Sequence, residues 1–324
     1  MDGAIHTPSA GQSRVGRIHD GVSRDARDIA FQQDEAASAG TCPLHIIYYN
    51  RFVTRREFPI AVAACASQAW ARSHWDRTRI AAITDELGNT ADDAIDLAHE
   101  IGLWWVELRN LPGTSKAYAQ ARDADIQAAA TRLTNARMKV SCVDAGFMED
   151  ISQALRCAHL CGADRVRIFA HARTTGQAPA LDALAAALAE MAAEADGQKI
   201  TLLLANHPAS SVATCAEMAA VMKLVPSRAL AIEWNPHSAR GREQPFPDGY
   251  ALLPKKRILN VRAEAAGLNP GVPGSEDWRA ILQALDRDGY AGRIVLETGA
   301  TGPSRIAATR DAIEELAHIV REVS

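Results

Sequence analysis

Eight short apolar runs recur between residues 79 and 297, and amphipathic segments separate them. This alternation predicts βα units wound around a parallel sheet. The predicted strands, in chain order, are Arg79–Thr84, Leu103–Leu108, Lys139–Val143, Arg165–Phe169, Ile200–Ala205, Ala229–Trp234, Arg257–Ala263 and Arg293–Glu297. Eight such units are the repeat number of a (β/α)8 TIM barrel. The sequence therefore predicts an α/β protein whose residues 72–324 form one TIM-barrel domain.

The segments between the runs carry helical spacing. One apolar face consists of Ala91, Ala94, Ile95, Ala98 and Ile101. Thr90 precedes it and Asp93 follows three residues later, which is typical of a capping box. Gly102 and Gly162 each follow a predicted helix, where a left-handed C-terminal residue favours glycine. A doubly wound open sheet is the alternative, but no Gly-x-Gly-x-x-Gly follows the first strand, which disfavours a dinucleotide site.

Composition excludes several classes of function. The formal net charge is −4, and no Lys/Arg-rich block occurs, so we expect no nucleic-acid partner. No apolar run reaches the about 18 residues that a membrane span needs. Six cysteines without a CxxC pair do not indicate a zinc or redox motif. The sequence does not specify an oligomeric state.

The first 71 residues differ in character from the rest. Arg55-Arg56 is followed by the apolar run 60–66 and by Ala69-Trp70-Ala71, in the order of a twin-arginine export signal with a cleavage site. We therefore predict a signal peptide at residues 53–71 and a periplasmic or extracellular location. Residues 1–52 are predicted to be a disordered or mis-annotated extension, with translation starting at Val53. The alternatives are an ordinary helix in a cytoplasmic protein and a lipid anchor at Cys65.

Polar residues stand where four of the predicted strands end. The fifth ends in Ala205-Asn206-His207, the sixth in Glu233-Trp234-Asn235, the seventh includes Arg262-Ala263-Glu264, and the eighth ends in Glu297. Earlier strand ends read Val106-Glu107-Leu108-Arg109 and Val166-Arg167-Ile168-Phe169. This order resembles the sugar phosphate isomerase/epimerase family, part of the AP endonuclease 2 superfamily, whose barrel is shared with xylose isomerase and endonuclease IV. The resemblance covers about Ile80 to the C-terminus.

The resemblance implies a cofactor and a reaction. In that family four strands offer Glu, Asp, His and Glu to one divalent metal (Mn²⁺, Mg²⁺ or Co²⁺), which polarises a sugar carbonyl while glutamates move protons at carbon. The matching positions here are Ala205, Asn235, Arg262 and Glu297. The ligand set is incomplete, since only Glu297 and Asn235 are candidate ligands and Arg262 is a permanent cation. Arg262 is predicted either to replace the metal charge through a bidentate bond to Glu297 or to extend to solvent.

The resulting expectation is a sugar isomerase/epimerase-like protein that binds a small carbohydrate and moves a proton next to a carbonyl. The candidate catalytic residues are Glu297, Glu107 and Arg262, although Glu107 could instead form an ion pair with Arg109. The candidate substrate-binding residues are Asn206, His207, Asn235, His237 and Arg167. The alternative function is that of a non-catalytic carbohydrate-binding pseudoenzyme, and endonuclease-like repair ranks third.

Overall fold

The computed structural model describes residues 75–148, 151–172, 180–269, 271–272 and 274–324. The extension predicted at residues 1–52, the export signal at 53–71 and the lipid anchor at Cys65 lie outside the described residues and stay predictions.

Eight parallel strands close into a barrel in chain order, with β8 pairing with β1. They are β1 (Ile80–Ile83), β2 (Trp105–Leu108), β3 (Lys139–Phe147), β4 (Arg165–Phe169), β5 (Thr201–Ala205), β6 (Leu230–Trp234), β7 (Ile258–Glu264) and β8 (Arg293–Glu297). The predicted TIM barrel is confirmed. Seven of the predicted strands differ from the observed ones by no more than two residues at either end.

Strand β3 is the exception, because it continues four residues past the predicted end at Val143. A prediction based on apolar runs did not include this extension, because it contains Asp144-Ala145-Gly146. Gly146 has a φ of 69°, and its N–H donates to Asp144 Oδ1 at 2.8 Å. The resulting irregularity in the pairing with β4 holds Asp144 and Phe147 at the C-terminal end of the barrel.

Helices cover the outside of the barrel. The longer ones are Ala91–Glu100, Asp123–Asn135, Ile151–Cys161, Leu181–Gly197, Cys215–Leu224, Trp278–Arg287 and Arg305–Glu322, with short turns at Thr84–Leu87, Tyr250–Leu252 and Ala265–Leu268. The capping box of Thr90 and Asp93 is present, and Gly102 and Gly162 have positive φ, as predicted. None of the helices in the described part of the chain combines the length and the apolar character that crossing a bilayer needs.

Apolar residues fill the lower part of the barrel interior. One cluster consists of Ala81, Ile83 and Val295, and a second consists of Cys142, Leu203 and Ala231. Strand residues of opposite parity face the helices and form the main core, because side chains alternate across a strand. The interior positions nearer the C-terminal ends of β2, β6 and β7 are charged, and these charges position the candidate site.

Candidate active site

A cavity of about 570 Å³ opens at the C-terminal ends of the strands. Its charged and aromatic lining residues are Arg109, Asp144, Arg167, Phe169, His207, His237, Arg240, Glu264 and Glu297. Active sites of TIM barrels form at this end, from strand ends and the loops that follow them. The cavity is therefore the candidate active site.

A buried ion cluster of Glu107, Glu233 and Arg262 lies beneath the cavity, and all three side chains are 0% exposed. Arg262 Nη2 donates to both carboxylate oxygens of Glu107, at 2.8 and 2.9 Å. Its Nε and Nη2 donate to Glu233 Oε1 at 3.0 and 2.8 Å. The alternation of β7 directs Arg262 inward, between strands β2 and β6. The guanidinium group thus bridges two carboxylates across the barrel.

A second arginine joins the same network from β4. Arg167 Nη1 donates to Asp144 Oδ2 at 2.7 Å, and its Nε lies 2.6 Å from Glu233 Oε1. Two guanidinium groups therefore face three buried carboxyl groups, those of Glu107, Asp144 and Glu233. Three carboxylates with two guanidinium groups would leave one excess negative charge in a water-poor interior, which favours protonation of one carboxyl group.

The pKa shifts of Glu107 and Asp144 have opposite directions. Burial raises the pKa of Glu107 to about 7, Arg262 opposes the rise, and Glu233 adds to it. Burial also acts to raise the pKa of Asp144, but Arg167 and the Gly146 N–H outweigh it, so the pKa of Asp144 lies below its ordinary value. The network consequently keeps Asp144 ionised and lets Glu107 titrate near neutrality.

Glu297 lies one level higher, at the cavity wall, and its side chain is 25% exposed. Arg109 Nη1 donates to Glu297 Oε1 at 2.9 Å. Burial acts to raise the pKa of Glu297, but Arg262, Arg167 and Arg109 together hold this pKa below its ordinary value. Glu297 is therefore an ionised carboxylate that reaches the cavity.

Two asparagines shape the wall on the side of β5 and β6. Asn206 Nδ2 donates to the Asn235 carbonyl oxygen at 2.7 Å, and Asn206 Oδ1 accepts from the Asn235 N–H at 2.8 Å. The Asn235 amide in turn donates to Glu264 Oε1 at 2.7 Å and accepts from the Ser238 N–H at 3.1 Å. Both side chains thus have their polar atoms engaged by the protein itself.

Two histidines also line the cavity. His207 Nδ1 accepts a hydrogen bond from the Ala209 N–H at 3.1 Å, and its ring lies 4.6 Å from the ring of Phe169. Burial lowers the pKa of His207, and Arg167 lowers it further. His237 contacts Glu276 through Nδ1 at 3.1 Å, and its Nε2 lies 3.8 Å from Glu264.

The four positions that match the family's metal ligands carry one carboxylate, that of Glu297, which already pairs with Arg109 and Arg262. Ala205 has no donor atom, and the Asn235 oxygen already accepts from Ser238. Arg262 is fully buried, so it does not extend to solvent, and the carboxylate whose two oxygens it contacts, through Nη2 alone, is Glu107 instead of the predicted Glu297. An ion pair of 3.4 Å still joins Arg262 Nη1 to Glu297 Oε2. Glu107 pairs with Arg262, and the suggested pair with Arg109 does not form in the structure.

Another group of potential ligands lies in the barrel interior. Ligand atoms of Glu107, Cys142 and Glu233 lie within 4.8 Å of one another, a spacing that a metal ion can bridge. The thiol of Cys142 donates to Glu107 Oε2 at 3.1 Å, and burial raises its pKa. Because Arg262 already bonds both carboxylates, a guanidinium group satisfies the acceptors that a cation would use.

The structure brings five predicted residues to the cavity: Arg167, His207, Asn235, His237 and Glu297. Glu107, Asn206 and Arg262 lie beneath or behind its lining, at 0%, 1% and 0% exposure. Their predicted roles stay predictions, and their side chains lie behind the residues that line the cavity.

Sequence reasoning assigned no role in binding or catalysis to three participants, namely Glu233, Glu264 and Arg109, although all three stand in the strand-end motifs. Each lies two residues along a strand or strand end from a residue that it had singled out, Asn235, Arg262 and Glu107 respectively. Period-two alternation places such pairs on the same face of a strand. Applying this alternation within each strand-end motif would have assigned all three to the same face as the candidate site residues.

Comparison with solved structures supports the fold. An L-ribulose 3-epimerase superposes with a TM-score of 0.61 at 16% identity, covering 76% of this chain and 95% of that chain. A D-allulose 3-epimerase from Methylomonas sp., solved with D-allulose bound, superposes with a TM-score of 0.59 at 14% identity, covering 77% of this chain and 98% of that chain. A 3-keto-D-glucoside 4-epimerase from E. coli superposes with a TM-score of 0.56 at 14% identity, covering 75% of this chain and 98% of that chain.

Sequence comparison adds the family. Curated proteins give no significant match to the chain. The family profile described as a xylose isomerase-like TIM barrel matches residues 95–321, which is more than half of the chain. Together with the closed eight-stranded barrel, this match leads to one conclusion: the chain belongs to the xylose isomerase-like TIM barrel family.

Proposed function

We propose that this protein binds a sugar in the cavity and catalyses proton transfer at the carbon next to the sugar's carbonyl group, without a resident divalent metal. The observation that carries the proposal is the state of Glu297, an ionised carboxylate 25% exposed to a cavity that also contains guanidinium groups. The structural neighbours include epimerases of L-ribulose and D-allulose, which makes ketoses the first substrates to test.

Glu297 is suited to the role of general base. Its carboxylate is ionised because Arg262, Arg167 and Arg109 hold its pKa below the ordinary value. A low pKa weakens a base, so the reaction also needs stabilisation of the negative charge that develops on the substrate oxygen. Arg109 and Arg167 line the same cavity and can supply that positive potential.

The donor set supports chemistry without a metal. A site for Mn²⁺, Mg²⁺ or Co²⁺ needs several hard oxygen donors or imidazoles around one point. At the matching positions Ala205 offers nothing, the Asn235 oxygen is engaged, and Arg262 occupies the centre of a carboxylate pair. The fixed charge of Arg262 is present at every pH at which the protein folds, because guanidinium does not deprotonate in proteins.

The test measures exchange of carbon-bound hydrogen with solvent. Purified protein is incubated with D-allulose or L-ribulose in D2O, and deuterium at the carbons beside the carbonyl is followed by NMR. We expect exchange by the wild type and a loss of about 10²- to 10⁴-fold in Glu297→Gln. The matched control is Glu190→Gln, since Glu190 is exposed on the helix Leu181–Gly197. Absence of exchange with both sugars in the wild type would overturn the proposal.

Metal independence has its own measurement. Protein dialysed against a strong chelator should keep its exchange rate within about twofold, and added Mn²⁺ or Co²⁺ should not increase it. Elemental analysis should find less than stoichiometric metal after expression in metal-supplemented medium. A rate that disappears with chelator and returns with metal would restore the family's metal-dependent reaction.

One observation favours a second candidate function, sugar binding without catalysis. Glu297 already has two cationic partners, Arg109 at 2.9 Å and Arg262 at 3.4 Å, which hold its charge and oppose uptake of a substrate proton. A pseudoenzyme would bind D-allulose or L-ribulose in a calorimeter with no deuterium exchange, and Glu297→Gln would change only its affinity.

A further inference from the structure

The loop after β5 fixes His207 in one orientation. The His207 backbone N–H donates to the Val212 carbonyl at 3.0 Å, and its carbonyl accepts from the Ser210 N–H at 2.9 Å. Its ring Nδ1 accepts from the Ala209 N–H at 3.1 Å. A ring nitrogen that accepts a backbone N–H uses its lone pair and carries no proton. A neutral His207 therefore has its proton on Nε2.

Aromatic contacts hold the plane of this ring. The ring centroids of His207 and Phe169 lie 4.6 Å apart, and Phe147 meets the imidazole edge-on at 6.4 Å. Arg167 lies over the Phe169 ring, with its guanidinium carbon 4.2 Å from the ring centroid. Burial and the charge of Arg167 lower the pKa of His207, so the imidazole is neutral at neutral pH. The surroundings thus fix tautomer, charge and orientation together.

His207 and Glu297 line the same cavity from different sides. His207 follows β5, and Glu297 ends β8, three strands further around a closed eight-stranded barrel. Within the described residues, no hydrogen bond occupies Nε2 of His207, while Nδ1 is engaged. A substrate held between the two walls would meet a carboxylate from one side and an N–H donor from another.

We propose that His207 is the electrophilic residue of this site, donating a hydrogen bond from Nε2 to the substrate carbonyl oxygen while Glu297 removes the proton from the neighbouring carbon. The inference rests on the proposed function and adds a role for a residue that sequence reasoning had assigned only to substrate binding. A neutral imidazole can perform this task when its environment suppresses the imidazolium form.

The electron and proton balance of the step is closed. The carboxylate of Glu297 takes the proton, and the electron pair of the broken C–H bond forms the C=C bond of an enediolate. The carbonyl π pair moves onto oxygen, where the Nε2–H of His207 stabilises it. Reprotonation of carbon by Glu297 reverses these movements, so the step needs no oxidant or reductant.

Three substitutions separate this role from packing. His207→Phe keeps a ring against Phe169 and removes the donor, His207→Gln places an amide N–H near the position of Nε2, and His207→Asn places one near Nδ1. Deuterium exchange into D-allulose or L-ribulose in D2O is measured for each, with kcat and KM resolved. Circular dichroism and thermal unfolding verify that each variant is folded.

We expect His207→Phe to lower kcat about 10²- to 10³-fold, the effect of losing one donor to a developing oxyanion, with KM within about threefold of wild type. His207→Gln should recover at least about tenfold of that loss, and His207→Asn should not. Equal rates in wild type and His207→Phe, or a change confined to KM, would overturn the inference and leave the proposed function intact. A wild type that exchanges no hydrogen removes both.

Discussion

Two layers of the barrel interior contain the same residue types, glutamate and arginine, but differ in how far these side chains are exposed. The buried ion cluster of Glu107, Glu233 and Arg262 is 0% exposed, and its guanidinium donates to both carboxylates. In the cavity wall above, Arg109 and Glu297 also form an ion pair, but each is 25% exposed. Charges in the lower layer have no exposed surface, whereas those in the upper layer face a volume that a ligand can fill.

Strand β7 shows how small a step separates the layers. Arg262 and Glu264 lie two residues apart on the same face, yet Arg262 is 0% exposed and Glu264 is 28% exposed. In the interior, an ion pair compensates for its own desolvation only when every partner is present. At the wall, solvent replaces a missing partner at low cost. We therefore expect the lower layer to control stability and the upper layer to control turnover.

The largest expected effect follows from removing the lower layer's cation. Arg262→Met leaves Glu107 and Glu233 buried without the guanidinium that bridges them, because both accept hydrogen bonds from Arg262. We expect the free energy of unfolding to fall by about 3–5 kcal/mol, the cost of breaking a buried pair from one side. Urea unfolding near pH 8, where Glu107 is ionised in the wild type, measures it.

The matched control is Arg310→Met, which breaks an exposed ion pair with Glu100. This change should leave urea unfolding nearly unchanged. The double variant Arg262→Met/Glu107→Gln should recover part of the loss, since it removes one of the two stranded carboxylates. Similar effects of the two methionine variants would break the contrast between the layers.

The next effect is a pH dependence of stability that belongs to Glu107. Its pKa in the folded protein is raised from 4.5 to about 7. Between these values the folded state binds more protons than the unfolded state, so the contribution of Glu107 to stability is full below pH 4.5 and declines as the pH rises to about 7. Glu107→Gln removes this slope, because an amide does not titrate.

Unfolding free energies of wild type and Glu107→Gln, measured from about pH 4.5 to about pH 8, provide the comparison. We expect their difference to shift in favour of the variant as the pH rises. Parallel curves would show that Glu107 has an ordinary pKa and that two guanidinium groups suffice for the three carboxyl groups.

A smaller stability effect is expected for Glu297→Gln, whose main consequence is the loss of turnover. The pKa of Glu297 is lowered in the folded protein, so its ionised form adds stability above its unfolded pKa, and this is lost as the pH falls through the folded pKa. Because the pair with Arg109 is partly exposed, we expect a loss of about 1 kcal/mol or less at neutral pH. Thermal unfolding near pH 7 and near pH 3 should show this difference shrinking in acid; a loss as large as that of Arg262→Met would place Glu297 in the lower layer.

The sequence contained most of the fold. Short apolar runs located all eight strands, because a parallel barrel buries both faces of its strands and leaves short apolar segments. The end of β3 escaped prediction because Asp144 and Gly146 stay in the strand through a local hydrogen bond between them. That bond is specified by backbone conformation, which hydrophobic patterning does not register.

The sequence indicated where several charged side chains lie, but it did not indicate most of their contacts. Strand-end motifs located Arg262, Glu107 and Glu297 at one end of the barrel. The ion pair of Arg262 with Glu297, at 3.4 Å, was one of two predicted alternatives, but the hydrogen bonds of Arg262 to Glu107 and Glu233 were not predicted. Neighbouring strands are staggered around a barrel, so residues at equivalent strand ends lie at different depths. Depth decides which charges meet, and no motif on a single strand encodes it.

The smallest expected effect concerns the aromatic support of the cavity wall. Phe169→Leu keeps apolar volume but removes the ring that contacts His207 and underlies Arg167. We expect the free energy of unfolding to fall by about 1 kcal/mol, the usual value of an aromatic pair. The matched control is Phe246→Leu, which removes one of the two rings that contact Tyr250, the one at 5.9 Å. If the wall serves turnover, only Phe169→Leu should also reduce the kcat of deuterium exchange, because it loosens the orientation of the His207 Nε2–H. Equal kcat values in the two variants would show that Phe169 serves packing alone, as the residues of the lower layer are expected to serve stability.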